Sequence, residues 1–268
     1  MPLQPIPPGS RLPLDDDDAR PPKDSPGGDE LREELTRLTE RLEALQRALY
    51  AECKRALLIV IQGRDTSGKD GLIRKVFGPL DSQGCVVTAF KKPSDLELSH
   101  DYLWRVHQAV PPRAVIGIFN RSHYEDVLIV RVRKLVGESV WSRRYSHIND
   151  FERMLTDSGV TILKFFLHIS KKEQKERLEE RLKDPRKNWK FNPGDLEERA
   201  LWDDYTEAYR EMLARCSTEW APWYMVPADK KTARDVQVAD VVVRTLEEMN
   251  PQFPKANPEM LKVIKEIV

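Results

Sequence analysis

Short apolar runs alternate with longer stretches of helical periodicity over most of the chain. The apolar runs predict five strands, at 57–62, 85–90, 114–119, 161–167 and 223–227. Runs of this length are typical of strands buried on both faces of a sheet. The stretches between and after them predict helices around 69–77, 95–109, 124–135, 142–157, 171–183, 196–215 and 232–249. This alternation predicts an α/β fold with a mostly parallel sheet and ligands at the carboxyl ends of its strands.

A further amphipathic helix is predicted before the first strand, at 29–55. Leucines recur there at spacings of four and three, at positions 31, 35, 38, 42 and 45. Such a stripe marks one apolar helix face. It would pack either on the core or on a second subunit, and we expect a homo-oligomer, a dimer or a tetramer.

The first 28 residues differ in composition from the rest. They contain eight prolines and the run Asp15 to Asp18. A segment of this kind has too little apolar area to offset the entropy lost on ordering. We expect a disordered or extended tail at 1–28, followed by one domain at 29–268.

Charge and composition narrow the class of protein. The 268 residues include 44 basic and 44 acidic side chains, so the formal net charge is zero. A polyanionic ligand must then be attracted by a local cluster of cations. No apolar run approaches the roughly 20 residues of a membrane span, no signal peptide opens the chain, and the three cysteines lack disulfide or zinc spacing. We expect a cytoplasmic enzyme with no membrane partner.

The first predicted strand runs into a phosphate-binding loop. Residues 63–69 read Gly-Arg-Asp-Thr-Ser-Gly-Lys, and a helical stretch follows. In this pattern consecutive backbone N–H groups, a helix N-terminus and the lysine ammonium converge on phosphate oxygens. The chain is therefore predicted to bind phosphates at this loop.

Two carboxylates make the loop unusual. Asp70 stands where this motif has a Ser or Thr hydroxyl for Mg²⁺, and Asp65 lies within the loop. A carboxylate that faces phosphate oxygens is repelled unless a cation lies between them. We predict that Asp65, with or without Asp70, binds Mg²⁺. The alternative is that both carboxylates only favour the positive end of the following helix, by about 0.3–1 kcal/mol each.

A second polar cluster follows the third predicted strand. In many phosphate-loop enzymes this strand end supplies an aspartate that positions Mg²⁺, but here the position is Asn120, which brings no charge. Glu125 or Asp126 is then the candidate for a second metal ligand. Arg121 could bind phosphate oxygens through two N–H groups. The alternative for Arg121 is an ordinary ion pair with Glu125 or Asp126.

The histidines are not predicted to be catalytic. His123 could carry a phosphoryl group covalently, but direct transfer between phosphates is available, so we expect it to stack or form hydrogen bonds. The other four histidines show no metal-ligand spacing and are expected to be structural.

A cationic lid is predicted around the polar, proline-bounded loop at about 183–195. Nine Lys or Arg and five Asp or Glu lie between residues 171 and 190, and Arg177 and Arg181 share one helix face. A mobile lid would surround a transferred phosphoryl group with cations and exclude water. The alternative is a solvated basic helix whose arginines pair with Glu173 and neighbouring acids.

Several motifs occur along the chain in one order. They are Gly63-x-Asp65-x-x-Gly68-Lys69-Asp70-Gly71, Lys91-Lys92-Pro93-Ser94, Phe119 to Asp126, and Asp184-Pro185-x-Lys187-x-Trp189-Lys190 with Trp202-Asp203-Asp204-Tyr205. In these motifs the chain resembles the polyphosphate kinase 2 family. The similarity covers roughly residues 29–250.

The resemblance implies a three-layer α/β/α sandwich, P-loop kinase-like, with a mostly parallel central sheet and a helical or loop lid. It implies reversible transfer of a terminal phosphoryl group between inorganic polyphosphate and a nucleotide, by direct in-line attack and with Mg²⁺, for which Mn²⁺ is a substitute. Asn120 and Glu125 replace the Asp and Asn of many members and resemble the subgroup that acts on nucleoside mono- and diphosphates. The expected partners are AMP or ADP, or GMP or GDP, with ATP as the adenine product.

The resemblance also assigns site residues by their place in the motifs. The catalytic candidates are Asp65, Lys69, Arg121, Glu125 and Arg177, with Asp65 and Glu125 as metal ligands. The phosphate- and polyphosphate-binding candidates are Gly63, Gly68, Lys69, Asp70, Gly71, Arg121, Arg177, Arg181, Lys187 and Lys190. The nucleotide-binding candidates are Lys91, Lys92, Asn120, Arg121 and Glu125, and Lys91 and Lys92 could also extend the polyphosphate groove.

Two other functions use the same features. An ATP-dependent nucleoside monophosphate kinase would share the fold, the loop and the lid. A nucleotide- or nucleic-acid-binding regulatory module would use the basic patch on phosphate backbones. The zero net charge and the absence of a recognised nucleic-acid-binding motif argue against this module. We therefore expect no nucleic-acid partner.

Overall fold

Five parallel strands form one sheet in the order β2-β3-β1-β4-β5. The structure is a computed structural model that describes residues 2–22 and 24–257, except for the side chain of Lys190. The strands are β1 (Ala56–Gly63), β2 (Cys85–Ala89), β3 (Ile116–Asn120), β4 (Val160–His168) and β5 (Trp223–Pro227). All five lie within two residues of their predicted positions.

Helices connect the strands. They are α1 (Gly28–Glu52), α2 (Lys69–Leu72, continued by a π turn Ile73–Phe77), α3 (Asp95–Leu98), α4 (Trp104–Ala109), α5 (Ile129–Val132), α6 (Glu138–Asp157), α7 (Lys171–Lys183), α8 (Gly194–Ala200), α9 (Trp202–Cys216) and α10 (Lys231–Met249). Short 3₁₀ turns lie at Asp16–Ala19, His123–Asp126 and Asn188–Lys190. In the described part of the chain, no helix is both long and apolar enough to cross a membrane.

Three predicted helices are interrupted. The helix predicted at 95–109 consists of α3 and α4, because the Asp101 carboxylate accepts from the Leu103 N–H at 3.0 Å and starts a new turn there. The helix predicted at 124–135 is a 3₁₀ turn followed by α5. The helix predicted at 196–215 divides at Leu201, whose ψ of 25° departs from helical geometry.

The strand residues alternate between two apolar cores. Leu58 and Val60 of β1 face a core shared with α6 and α9, whereas Leu57, Ile59 and Ile61 face a core shared with α1 and α10. This is the period of two expected of a strand that is buried on both faces. The fold is therefore the predicted three-layer α/β/α sandwich.

The apolar stripe of α1 is buried within the chain itself. Leu38, Leu42 and Leu45 lie in the core that includes Val238 and Val242 of α10. Of the two explanations for the stripe, packing on the core is the one observed, so an oligomer would use another surface.

The N-terminal segment lies along the domain. Ile6, Leu14 and Ala19 are buried, and the Asp229 N–H donates to the carbonyl of Ala19 at 3.0 Å. At the end of β4, Nε2 of His168 lies 2.8 Å from the carbonyl oxygen of Asp15. A few apolar side chains and backbone hydrogen bonds thus attach a segment of very polar composition.

Candidate active site

A cleft of about 940 Å³ opens at the carboxyl ends of the strands. One wall is the phosphate loop and α2, and another is α7 with the loop that follows it. Eleven predicted site residues line the cleft: Asp65, Gly68, Lys69, Asp70, Gly71, Lys91, Asn120, Arg121, Arg177, Arg181 and Lys187. The parallel sheet brings them together because its strand ends meet at one edge.

The glycines of the phosphate loop are required by close backbone approach. A Cβ at Gly63 would lie 2.7 Å from the carbonyl oxygen of Leu167. Gly68 has φ +99°, and a Cβ there would collide with Nη1 of Arg234. Only glycine fits these two positions without displacing β4 or α10.

Lys69 is folded back against the loop. Its Nζ donates to the carbonyl of Gly63 at 2.7 Å and to that of Arg64 at 3.1 Å. The side chain is buried, and this burial lowers the pKa of the Lys69 ammonium to about 8. The ammonium is therefore held at the loop, but with a weaker preference for its charged form than an exposed lysine has.

Arg177 lies beneath the loop, which differs from its predicted role as a lid cation. Its Nε donates to Glu173 at 2.8 Å, Nη1 to the carbonyls of Thr66 and Ser67, and Nη2 to those of Ala228 and Asp229, at 2.7–3.2 Å. All five N–H donors of the guanidinium are thereby used. Arg177 borders the cleft, and in this structure its N–H groups support the loop backbone, so its assignment as a cation for polyphosphate stays a prediction.

Arg234 gives the loop a second buried support that the sequence reasoning missed. Its Nη1 donates to the carbonyl of Ser67 at 3.2 Å, and Asp235 neutralises it at 2.6 Å. No local motif marks this arginine, because its partner lies 167 residues earlier in the chain.

Arg121 joins the two predicted metal ligands. Its Nη2 donates to Oδ1 of Asp65 at 2.5 Å and its Nη1 to Oε2 of Glu125 at 3.4 Å. The charges of Glu125 and Asp65 raise the pKa of Arg121 further above its ordinary value. The backbone of Arg121 has φ +62°, a conformation that side-chain-bearing residues seldom adopt. The ion pair predicted as an alternative therefore exists, and it includes the loop aspartate as well.

Glu125 and Asp126 point to different sides. With its amide oriented to satisfy both neighbours, Gln62 donates to Oε1 of Glu125 at 3.2 Å. Asp126 instead pairs with Arg144 of α6 at 2.8 Å, and burial raises the pKa of its carboxyl to about 6. Asp126 is thereby removed as a metal-ligand candidate, and Glu125 is the residue of the two that meets Arg121.

The remaining predicted carboxylate and amide contact each other. Nδ2 of Asn120 donates to Oδ1 of Asp70 at 2.8 Å, between the end of β3 and the start of α2. The amide at position 120 thus allows Asp70 to lie beside the strand end without a second negative charge there.

The protein side chains at this place supply only part of the ligands that a divalent cation needs. Asp65 and Glu125 contact the same guanidinium, but of the two only Asp65 is among the residues that line the cleft. Within residues 2–22 and 24–257, no group of three or more His, Cys, Asp or Glu could hold a metal ion by itself. Mg²⁺ beside phosphates is usually held by one or two carboxylates, water and the phosphates themselves. The residues present fit that arrangement.

Both faces of α7 carry charged side chains, and the side chains on the two faces have different partners. Lys172 and Lys175 pair with Glu176 and Glu179 on the outer, exposed face, as the solvated-helix alternative predicts. Arg181 faces the cleft and donates to Asp195 of α8 at 3.2 Å.

The loop after α7 supplies further cationic groups. Lys187 pairs with Glu180 and with Asp184. Arg186, which was not predicted, also lines the cleft. The side chain of Lys190 lies outside the part of the chain that the structure describes. Trp189 lines the cleft and is 77% exposed, with its Nε1 donating to the Arg186 carbonyl at 3.0 Å.

The opposite wall is formed by Arg74, Phe90 and Lys91. Arg105 of α4 donates to the Lys91 carbonyl at 2.9 Å and fixes this segment. Lys92 is exposed and is not among the cleft-lining residues. Arg74 was missed, although its spacing of four from Asp70 places both on one helix face and could have indicated it.

His123 cannot reach a substrate in this arrangement. Its side chain is fully buried, with Nε2 3.0 Å from Oε1 of Glu152 and its ring against that of Tyr124. A role as a covalent phosphate carrier is therefore excluded by burial, and the expected hydrogen bonding is observed.

Comparison with known proteins identifies the family of this chain. Residues 27–254 match the family Polyphosphate kinase 2 (PPK2). The AMP/ADP-polyphosphate phosphotransferase of Meiothermus ruber is 53% identical over 234 residues, covering 87% of this chain and 88% of the relative. The ADP-polyphosphate phosphotransferase of Rhodopseudomonas palustris is 45% identical, with 83% and 81% covered. The crystal structure of polyphosphate kinase 2 from Arthrobacter aurescens TC1 gives a TM-score of 0.87 at 43% identity, covering 90% of this chain and 88% of that one. The chain therefore belongs to the polyphosphate kinase 2 family.

Proposed function

We propose that this enzyme transfers a terminal phosphoryl group reversibly between inorganic polyphosphate and AMP or ADP. The observation that carries the proposal is Arg121, which joins the loop carboxylate of Asp65 to Glu125 inside a cleft with cations on two walls. The similar proteins of Meiothermus ruber and Rhodopseudomonas palustris are named for polyphosphate with AMP/ADP and with ADP.

The cleft has room and charge for two anionic substrates. Its volume of about 940 Å³ lies near the upper end of the range of roughly 300–1,000 Å³ that is usual for small-molecule sites. Arg181, Lys187 and Lys231 border one side, and we assign polyphosphate to it. Arg74 and Lys91 also border the cleft, and we assign the phosphates of the nucleotide to these two cations.

The reaction needs positioning more than acid or base catalysis. A nucleotide phosphate oxygen is already ionised at neutral pH, so it can attack the terminal phosphorus of polyphosphate in line without a general base. Lys69 and the loop N–H groups would hold that terminal phosphate, and Arg121 would bind its oxygens once these compete with Asp65. Neutralisation of the two reactants is then the main contribution of the protein.

We assign Asp65 and Glu125 as the protein ligands of Mg²⁺, with Mn²⁺ as a substitute. The ion, when bound, supplies positive charge between two phosphates that otherwise repel each other. Asp65 and Glu125 would have to release part of their contact with Arg121, which would turn that guanidinium toward phosphate oxygens.

A donor test separates this function from its rivals. Purified protein is incubated with Mg²⁺ and polyphosphate, once with AMP and once with ADP, in the absence of any nucleoside triphosphate, and ATP is measured. We expect ATP from both acceptors. An ATP-dependent nucleoside monophosphate kinase would make no ATP from AMP in this mixture, and from ADP it would make the same amount with and without polyphosphate, because it converts two ADP into ATP and AMP. A binding module would transfer no phosphoryl group while retaining salt-dependent binding to DNA or RNA. The Lys69→Ala variant serves as the inactive control.

We extend the proposal to three further properties of the enzyme. GMP and GDP are further acceptors, tested in the same assay. A cytoplasmic location is tested by cell fractionation. A homo-oligomer without nucleic-acid partners is tested by light scattering after nuclease treatment.

A further inference from the structure

A buried charged network lies directly behind the turn that carries Arg121 and Glu125. We propose that Tyr124, Glu152 and Lys164 are positioning residues for phosphoryl transfer, because they hold this turn in its active geometry. The proposal rests on the proposed function.

The network lies inside the core. Glu152 of α6 and Lys164 of β4 are both fully buried. Nζ of Lys164 donates to Glu152 at 2.5 Å, to the Tyr124 hydroxyl at 2.8 Å and to the carbonyl of Cys216 at 2.7 Å. These three bonds use all the donors of the ammonium.

Two consecutive residues of the turn are tied to the network. The Tyr124 hydroxyl donates to Oε1 of Glu152 at 2.8 Å, and Nε2 of His123 lies 3.0 Å from the same oxygen. His123 and Tyr124 stand between Arg121 and Glu125 in the sequence. The buried anchors therefore determine the direction in which both active-site side chains leave the turn.

The turn needs such anchors because its backbone is unusual. Arg121 has φ +62°. Side-chain-bearing residues remain in sparsely populated conformations only where the surroundings impose them. From the core side, this geometry is held by the backbone bond from the Arg121 N–H to the Ile61 carbonyl at 3.1 Å, by Gln62 against Ser122 and Glu125, and by the contacts of His123 and Tyr124.

Stability alone does not explain the network. A buried ion pair is often no more stabilising than apolar residues of the same volume, because desolvation offsets the attraction. The rest of the surrounding core is built from apolar and aromatic residues such as Phe119, Phe166 and Met212. The buried charges of Glu152 and Lys164 contact His123 and Tyr124, which lie between Arg121 and Glu125, and this placement indicates a geometric role.

The test removes one hydroxyl and keeps the ring. Tyr124→Phe is compared with Tyr145→Phe, a matched control in the same core whose hydroxyl contacts Arg131 at 3.4 Å and not the turn. ATP synthesis from ADP and polyphosphate, thermal unfolding and amide hydrogen exchange of residues 121–128 are measured for both. For Tyr124→Phe we expect kcat to fall about tenfold or more with both KM values within about threefold, and exchange of the turn to accelerate. For Tyr145→Phe we expect kcat within about twofold of wild type.

A double variant adds a readout that a structural role would not move. If Tyr124 acts through the turn, its effect on kcat in a Glu125→Gln background will be clearly smaller than in wild type. The proposal is overturned by an unchanged kcat in Tyr124→Phe, by unchanged exchange of the turn, or by strictly multiplicative effects in the double variant. Failure of the proposed function is seen separately, as absence of ATP with the wild-type enzyme, and it would overturn this inference as well.

Discussion

The Asp65 carboxylate accepts a hydrogen bond from Nη2 of Arg121 at 2.5 Å, so an ion pair joins the phosphate loop to the end of β3. A group that can hold a cation thus lies beside a group that can bind phosphate. Each neutralises the other, and an incoming phosphate must compete with Asp65 for Arg121. Substitution of Arg121 removes this partner from Asp65, whereas Arg121 keeps Glu125 as a partner when Asp65 is replaced.

Asp65→Asn should abolish ATP synthesis from ADP and polyphosphate, with a loss of at least about 100-fold in kcat. The amide keeps the shape of the side chain but cannot neutralise a cation beside the phosphates. Initial rates at saturating substrates measure the loss, and a melting temperature close to that of wild type shows that the fold is intact. Asp150→Asn, on the exposed face of α6, is the control and should behave as wild type. Substantial activity in Asp65→Asn would contradict the role given to this residue.

The pKa of Lys69 predicts a pH limit for polyphosphate use. Burial lowers this pKa from 10.5 to about 8, so the folded protein loses the ammonium charge as the pH rises through about 8. We expect kcat/KM for polyphosphate, which reports the free enzyme, to decline above that pH. Lys69→Arg keeps its charge, and any activity left in it should lack this decline.

Lys69 also makes the stability of the fold depend on pH, and here the effect of rising pH is opposite to its effect on activity. Between pH 8 and 10.5 the unfolded chain binds more protons at Lys69 than the folded chain does. The free energy of unfolding should therefore rise with pH in this range relative to a Lys69→Met variant. Urea titrations of both proteins at several pH values measure the difference, and parallel pH dependences would show that the pKa of Lys69 is not lowered.

Arg177→Ala and Arg181→Ala should separate support of the loop from substrate binding. Arg177 is buried and satisfies four backbone carbonyls, so its removal should lower the free energy of unfolding by about 3 kcal/mol or more. Arg181 is partly exposed beside Asp195, and its removal should cost about 1 kcal/mol or less while raising KM for polyphosphate. Urea unfolding and steady-state kinetics distinguish the two patterns, and equal stability losses would contradict the assignment.

Glu125→Gln and Asp126→Asn should differ in their requirement for Mg²⁺. Glu125 pairs with Arg121, which also pairs with Asp65, whereas Asp126 pairs with Arg144. We expect the Mg²⁺ concentration for half-maximal activity to rise about tenfold or more in Glu125→Gln and to change less than about twofold in Asp126→Asn. A larger shift in the Asp126 variant would restore that residue as the ligand.

Lys187→Glu should weaken polyphosphate binding in a salt-dependent way. The lysine borders the cleft and is partly exposed, so its attraction for a polyanion is long-ranged and screened by ions. We expect KM for polyphosphate to rise about tenfold at low salt, with a smaller difference from wild type at 0.5 M salt, and KM for ADP to change little. Lys172→Glu, on the exposed outer face of α7, should leave both constants near those of wild type.

The sequence predicts those features of the structure that a short local pattern of residues determines. The phosphate loop follows from glycines and a lysine at fixed spacing, and the strands follow from continuous apolar runs, because both signals lie within a few neighbouring residues. The direction of Arg177 does not follow from its helix, since carbonyls of Ala228 and Asp229 some fifty residues later decide it. The same holds for Arg234, whose loop partner is Ser67.

A second limit on predicting the site from the sequence arises where neighbouring residues have the same chemistry. Glu125 and Asp126 have the same chemistry in the sequence, but successive side chains of a 3₁₀ turn point about 120° apart. Only the positions of Arg121 and Arg144 reveal which of the two pairs with the active-site arginine. Lys164 lies within an apolar strand and reads as a chance exception until its partner Glu152 is located. In the N-terminal segment, buried apolar residues such as Ile6 are too few to change the average composition, which is what predicts a disordered or extended tail.

The attachment of the N-terminal segment also protects the sheet. The N–H of Ile6 donates to the carbonyl of Trp223 at 2.8 Å, so the segment occupies part of the outer edge of β5, the last strand of the sheet. Unoccupied strand edges are templates for association with other chains. A fragment that starts near residue 27, where the family match begins, would lack this cover. The exposed edge of β5 would then favour association with other chains, so fragments intended for crystallisation should begin before Ile6.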